Sequence, residues 1–286
     1  KKRSVNILPE IDIPGHAKAA VTAYPELLQD PDDKSRYTSV QKIGNNTIDA
    51  GLKSSYRFLD NVISEVAALF PFGYIHLGGD EIPKGAWQQS PAVARLMQRE
   101  GLRNIKEAEG YFFRRMDRIL AGYDRKMVVW QEADSKGLRD GTVIMAWRGD
   151  GAGIKAAMNG REVVMAPAQH LYFDQQYVRK KGEYGHTWAG PTDTKDAYAY
   201  RPVPETLSPE QALFVRGVHG CLWSETALNE SIADYLAWPR IFALAEIGWS
   251  GEKRRDWKDF ERRAFTFGIQ RLKAQKITYR RPDFAK

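Results

Sequence analysis

Asp80 and Glu81 stand side by side after Gly78-Gly79, where the short apolar run Tyr74-Ile75-His76-Leu77 ends. Two neighbouring carboxylates in a pocket push each other's pKa apart, leaving one protonated as an acid and one ionised as an acceptor. General acid/base chemistry needs that division. The alternative is a turn decorated with acids, but paired glycines suit close approach of backbone to a ligand better than plain packing.

The design recurs along the chain. Val5 to Ile7 leads to Glu10, Asp12 and His16, Val128 to Trp130 leads to Glu132, and Val143 to Met145 leads to Trp147 and Arg148. Val163 to Met165 then leads to Tyr172 and Asp174, and Val218 to Trp223 leads to Glu225. A strand, a polar or aromatic tip and then a helix is the pattern of a barrel enzyme, whose site lies at the strand ends. Trp130, Trp147 and Trp223 each end a different strand. Singly, each is as readily core packing as ligand contact. Together they make a cage for the apolar side of a sugar or for an acetyl methyl. Trp188 lies in an irregular stretch, as a platform for a neighbouring sugar or as a loop anchor.

His16, near acids, is placed to hold a proton, whereas His170 and His219 have the simpler reading of hydrogen-bonded structure. His16 and His76 lack HxH or HExxH spacing, so no metal is expected. The chain has no Walker A loop, no GxGxxG fingerprint and no GxSxG elbow, so no cofactor and no serine triad are expected.

With 286 residues and 43% hydrophobic content, the chain can bury one large core, and no Pro/Gly/Ser-rich linker divides it. The net charge of +7 is scattered among acids. Lys253-Arg254-Arg255 and Arg262-Arg263 therefore read as solvated helix surface, and no nucleic-acid partner is expected. Cys221 is the single cysteine, which excludes an internal disulfide and points to a buried, inert thiol. No apolar stretch approaches the roughly 20 residues of a membrane span, and no signal peptide is visible.

Strands are expected at 4–8, 74–78, 126–130, 142–146, 162–166 and 218–222. Helices are expected from Ala17, over 54–69 with Phe58, Val62, Val66 and Leu69 on one stripe, over 91–99, and over 105–120 with Phe112, Met116 and Ile119 on a face. Gly151 to Met158 is a small crossover, 229–246 a helix with Pro239 inside it, and 256–273 a basic helix. Residues 180–205 form a long loop, of the kind that is usually functional, and Tyr279 to Lys286 an extended tail. The fold class is thus α/β, a (β/α)8 barrel represented by about six of its eight strands, with 1–286 a partial catalytic domain incomplete at its amino end.

Several motifs resemble one family closely. They are Leu8-Pro9-Glu10-Ile11-Asp12-Ile13-Pro14-Gly15-His16, His76-Leu77-Gly78-Gly79-Asp80-Glu81, Val129-Trp130-Gln131-Glu132, Ala146-Trp147-Arg148, Tyr172 with Asp174, and Leu222-Trp223-Ser224-Glu225. In this order they are similar to the third through eighth strands of the β-N-acetylhexosaminidases, glycoside hydrolase family 20. The resemblance implies Glu81 as general acid/base and Asp80 as acceptor of the substrate's 2-acetamido N–H. It implies Tyr172 as donor to the amide oxygen, and Trp130, Trp147 and Trp223 as walls of the acetamido pocket. Asp174 and Glu225 resemble hydroxyl-binding groups, Trp188 an aromatic at the pocket mouth, and His16 a histidine that relays charge to the acid/base.

The implied reaction is exo-hydrolysis of terminal N-acetylglucosamine or N-acetylgalactosamine from chito-oligosaccharides or glycans, with retention through an oxazolinium. Intramolecular attack by the tethered amide can gain about 7 to 11 kcal/mol. A conventional retaining pair of Glu81 and Glu225, or a non-catalytic carbohydrate-binding remnant, stays open as an alternative. The family's first two strands supply an arginine and an aspartate that are not assigned here, so an upstream segment is expected to complete the barrel. The resemblance also implies a periplasmic or secreted location.

Overall fold

The structure is a computed structural model and describes residues 3–281. The chain divides into two compact units, Lys1–Ile144 and Met145–Lys286. In the first, α1 (Lys18–Ala23), α2 (Pro25–Leu28) and α3 (Lys53–Leu69) precede β1 (Tyr74–His76), followed by α4 (Pro91–Glu100), α5 (Ile105–Gly122) and β2 (Lys126–Trp130). β1 and β2 pair in parallel, with Tyr74 opposite Lys126 and His76 opposite Val128. Met127, Val128, Val129 and Trp130 are all buried, as expected of a strand covered on both faces. Against it α5 buries Phe112, Phe113, Met116 and Leu120.

Local chemistry sets the helix ends. Ser90 Oγ accepts the Val93 N–H, Pro91 opens the first turn of α4, and Gly101 closes it in the left-handed conformation.

β3 (Val143–Ala146) spans the division between the units. The second unit continues with α6 (Asp150–Met158), β4 (Glu162–Met165), α7 (Ala168–Leu171), α8 (Thr194–Ala199), α9 (Pro209–Ala212) and β5 (Val215–Val218). It ends in α10 (Glu230–Ala237), α11 (Arg240–Trp249), α12 (Trp257–Arg262), a π-helical turn at Arg263–Gly268 and α13 (Ile269–Ala274). β4 and β5 are parallel, with a bulge between Val163 and Val164. Phe173, Ala197, Tyr198, Ala243, Phe260 and Ala264 form a core cluster in this unit. Each unit is thus built from parallel strand pairing and covering helices, an α/β fold. Among the described residues no helix is long and apolar enough to cross a membrane.

The structure corrects several expected elements. No strand forms at 4–8, where Val5 and Ile7 are exposed. Pairing begins later: the His76 N–H donates to Pro9 O, Ile11 N–H to His76 O and Ile13 N–H to Leu77 O. Pro9 and Pro14 bracket this stretch without N–H groups, which keeps the ladder to a single bridge. At the far end, the strand expected at 218–222 lies at Val215–Val218, and residues 219 and 221 add isolated backbone bonds.

On α3 the buried face is Tyr56, Leu59, Ile63 and Ala67, while Leu69, expected in the core, is exposed. Pro239 separates α10 from α11 instead of lying inside one helix, since it offers no N–H to continue the ladder. The basic segment 256–273 is two helices joined by the π turn, and α8 folds inside the expected loop 180–205, opened by a capping box of Asp193 and Asp196. Of the expected tail, residues 282–286 lie outside the described residues.

Candidate active site

The first unit holds His16, Asp80, Glu81 and Trp130. Beyond β1, the Leu77 N–H still pairs with Val128 O, and then Gly78 and Gly79 turn the chain at φ +64 and +94. A Cβ on Gly78 would lie 1.7 Å from Asp12 Oδ1, and one on Gly79 would lie 2.7 Å from the Phe113 ring. Glycine is required here by the Asp12 carboxylate and a core aromatic. Glu81 and His16 themselves adopt φ of +48 and +50, conformations that non-glycine residues occupy at a cost.

That turn brings both acids to one imidazole. His16 Nε2 lies 3.5 Å from Asp80 Oδ2 and 3.5 Å from Glu81 Oε2. The carboxylates of Asp80 and then Glu81 raise the His16 pKa to about 10 against the opposing effect of burial, so the ring is cationic at neutral pH. Gln41 Nε2 donates to Glu81 Oε2 at 3.4 Å. Asp80 Oδ1 is buried with no hydrogen-bond partner among the described residues, an acceptor free for a substrate donor.

Asp12 Oδ1 accepts the Gly79 N–H, and burial, reinforced by the charge of Asp80, pushes its pKa up to about 8. Asp12, His16 and Asp80 offer ligand atoms within 4.8 Å of one another.

Beside this cluster, Glu10 Oε1 accepts the Trp130 indole N–H at 2.9 Å and lies 3.2 Å from His76 Nδ1. The His76 ring packs against Trp130 with centroids 5.0 Å apart. Trp130 is therefore held on two sides. Sequence motifs alone assign no role to Glu10 or Asp12; their spacing of two along extended backbone, which puts both on one face, is the signal that pairs them.

The second unit holds Trp147, Tyr172, Asp174, Trp188, Trp223 and Glu225. Tyr172 forms a parallel bridge with the buried Cys221, which sets the Tyr172 and Trp223 segments next to each other. Trp147 stacks on Tyr172 at 6.0 Å and 16°, and Trp223 lies 6.3 Å from Tyr172. Trp188, 56% exposed, stands edge-on to both Trp147 and Tyr172. These four rings form one aromatic wall with a solvent-facing edge.

Asp174 is buried beside it, and that burial raises its pKa to about 6. Its Oδ2 accepts from Gln175 Nε2, while Oδ1 has no hydrogen-bond partner among the described residues. Glu225 is exposed, and its charge contributes to the shift at Asp174.

Known proteins are similar to this chain in sequence and fold. The family described as glycosyl hydrolase family 20, catalytic domain, matches residues 1–252. A beta-hexosaminidase of Vibrio furnissii is 40% identical over 252 residues, covering 86% of this chain and 41% of that protein. A beta-hexosaminidase of Porphyromonas gingivalis is 34% identical over 262 residues, covering 91% of this chain and 34% of that protein. The crystal structure of a GH20 exo beta-N-acetylglucosaminidase from Vibrio harveyi in complex with N-acetylglucosamine superposes with a TM-score of 0.93 at 37% identity, over 99% of this chain and 44% of that one. The chain thus spans less than half the length of these relatives. With the family's domain matched across most of its residues, the chain belongs to glycosyl hydrolase family 20.

Proposed function

We propose that this chain serves an exo-β-N-acetylhexosaminidase that releases terminal non-reducing N-acetylglucosamine or N-acetylgalactosamine, on a complete (β/α)8 barrel, by substrate-assisted retaining hydrolysis. The observation that carries the reading is the pairing of Asp80 and Glu81 on His16 Nε2, each at 3.5 Å. One acid of such a pair can remain an acceptor while its neighbour handles the proton.

In this reading Asp80 accepts the acetamido N–H, with the cationic His16 ring 3.5 Å from its other carboxylate oxygen. Tyr172 donates to the amide oxygen as that oxygen attacks C1, and Glu81 protonates the departing glycosidic oxygen. The C1–O bond breaks as the ring of the oxazolinium closes. Water, deprotonated by Glu81, then opens it from the same face as the departed group, which gives net retention and returns the proton to Glu81. Trp130, Trp147 and Trp223 enclose the acetyl methyl, Asp174 and Glu225 take sugar hydroxyls, and Trp188 stacks at the entrance. The names of the relatives, beta-hexosaminidase and exo beta-N-acetylglucosaminidase, support the substrate class.

The test is turnover of aryl 2-acetamido and 2-hydroxy glucosides by the full-length protein, with inhibition by a thiazoline analogue of the bicyclic intermediate. Cleavage of the acetamido sugar alone, with tight thiazoline binding, is expected. Equal cleavage of both sugars would sink the reading in favour of a conventional pair using Glu225.

A further inference from the structure

Arg240, the first residue of α11, is completely buried, yet its guanidinium hydrogen-bonds to backbone carbonyls in place of a carboxylate. Nη1 donates to Gln175 O at 2.9 Å and to Thr192 O at 3.0 Å, Nη2 to Phe173 O and Leu236 O, and Nε to Leu236 O at 3.1 Å. The Tyr177 ring lies 3.8 Å from the guanidinium carbon. A planar fork of donors is well matched to such a fan of acceptors, and lysine cannot reproduce it.

The carbonyls it gathers are not arbitrary. Phe173 and Gln175 flank Asp174 on either side, and Gln175 and Thr192 bracket the stretch that carries Trp188. Gln175, itself fully buried, passes the constraint on: its Nε2 donates to Asp174 Oδ2 at 3.2 Å, and its Oε1 accepts the Ala189 N–H at 3.2 Å. Burying a charge that makes no ion pair among the described residues is expensive, and an apolar residue would fill the volume at less cost. The retained guanidinium therefore points to a geometric task.

We propose that Arg240 is a positioning residue for sugar recognition, fixing through Gln175 the Asp174 carboxylate and the Trp188 loop in one arrangement. The inference rests on the hydroxyl-binding role given to Asp174 above.

The experiment measures kcat and KM of the full-length protein, Arg240→Lys, Asp174→Ala and the double variant on an aryl N-acetylglucosaminide. Arg240→Lys is expected to raise KM about tenfold with kcat changed less than about threefold, the signature of lost sugar binding. In the Asp174→Ala background the same change should cost clearly less, because the part that acts through Asp174 is already lost and only the Trp188 part remains. A purely structural Arg240 would instead give the same loss in both backgrounds, which overturns the proposal. If Asp174→Ala leaves KM unchanged, the role of Asp174 falls first and the proposal with it. Should Arg240→Lys fail to fold, Tyr177→Leu, which removes the ring under the guanidinium, replaces it in the same cycle. Additive losses there are equally fatal.

Discussion

Asp12 Oδ1 accepts the Gly79 backbone N–H at 3.2 Å, which ties a buried carboxylate to the turn that presents Asp80 and Glu81. Burial and the charge of Asp80 raise the Asp12 pKa from 3.8 to about 8, so the folded protein binds this proton more tightly than the unfolded chain does. Below the unfolded value the two states are equally protonated. As pH rises from about 4 to about 8 the unfolded carboxyl ionises freely while the folded one resists, and stability falls. Asp12→Asn removes that ionisation. Thermal melts of the variant should therefore flatten between these limits relative to the parent, and even about 1 kcal/mol of the difference would appear as about 2 to 4 °C in Tm. Parallel Tm curves would mean that Asp12 does not titrate in this way. His16 has the same sign in a higher window: its ion pairing is complete below pH 6.5 and is lost only as pH passes about 10.

Gly78 faces the same carboxylate from the other side. A methyl group there would meet Asp12 Oδ1 at 1.7 Å and Asp12 Cα at 2.7 Å, at a φ of +64. Left-handed backbone for alanine costs about 1 to 2 kcal/mol and overpacking about 1 to 3, so Gly78→Ala should destabilise by roughly 2 to 5 kcal/mol. Gly73 is the control, with nothing within 4 Å of its Cβ position and no positive φ. Gly73→Ala should be neutral or slightly stabilising. Urea denaturation of the two variants measures the contrast, and similar midpoints would refute it.

The acids were legible because they are contiguous and follow paired glycines, a local signal. Their link to His16 comes from the family resemblance, while the geometry of the convergence depends on residues 9–13 lying along β1 and on left-handed backbone at both His16 and Glu81. Asp12 is legible as a polar strand tip, but its tie to the acid-bearing turn is not, because it runs through the Gly79 backbone N–H. On α3, Phe58, Val62 and Val66 make one helical stripe and Leu59 and Ile63 another; periodicity finds both and cannot choose between them. Packing chose the second, and Leu69 was left in solvent. In the second unit Trp147 and Trp223 are legible from expected strand tips and Trp188 from an irregular stretch, but the clamp of Arg240 on carbonyls leaves no trace in residue type, because every residue has a carbonyl.

Glu81 carries the sharpest chemical prediction. With its Oε2 3.5 Å from His16 Nε2 and within reach of Gln41, Glu81→Gln preserves shape and most hydrogen bonding while removing the transferable proton. General acid catalysis contributes about 10²- to 10⁴-fold, and only where the departing oxygen needs a proton. The loss in kcat/KM should therefore be large for a chitobiose-type disaccharide and much smaller for an aryl glycoside such as the dinitrophenyl, whose leaving group departs as a stable anion. On the proposed substrate-assisted mechanism, the amide oxygen would still form the oxazolinium in the variant. Its opening by water would then lack a base, so the dinitrophenyl substrate should show a burst of phenolate followed by a slow steady state. Rapid-mixing absorbance measures both phases. An equal loss on the two substrates, with no burst, would assign the proton to another group and leave Glu81 a binding residue.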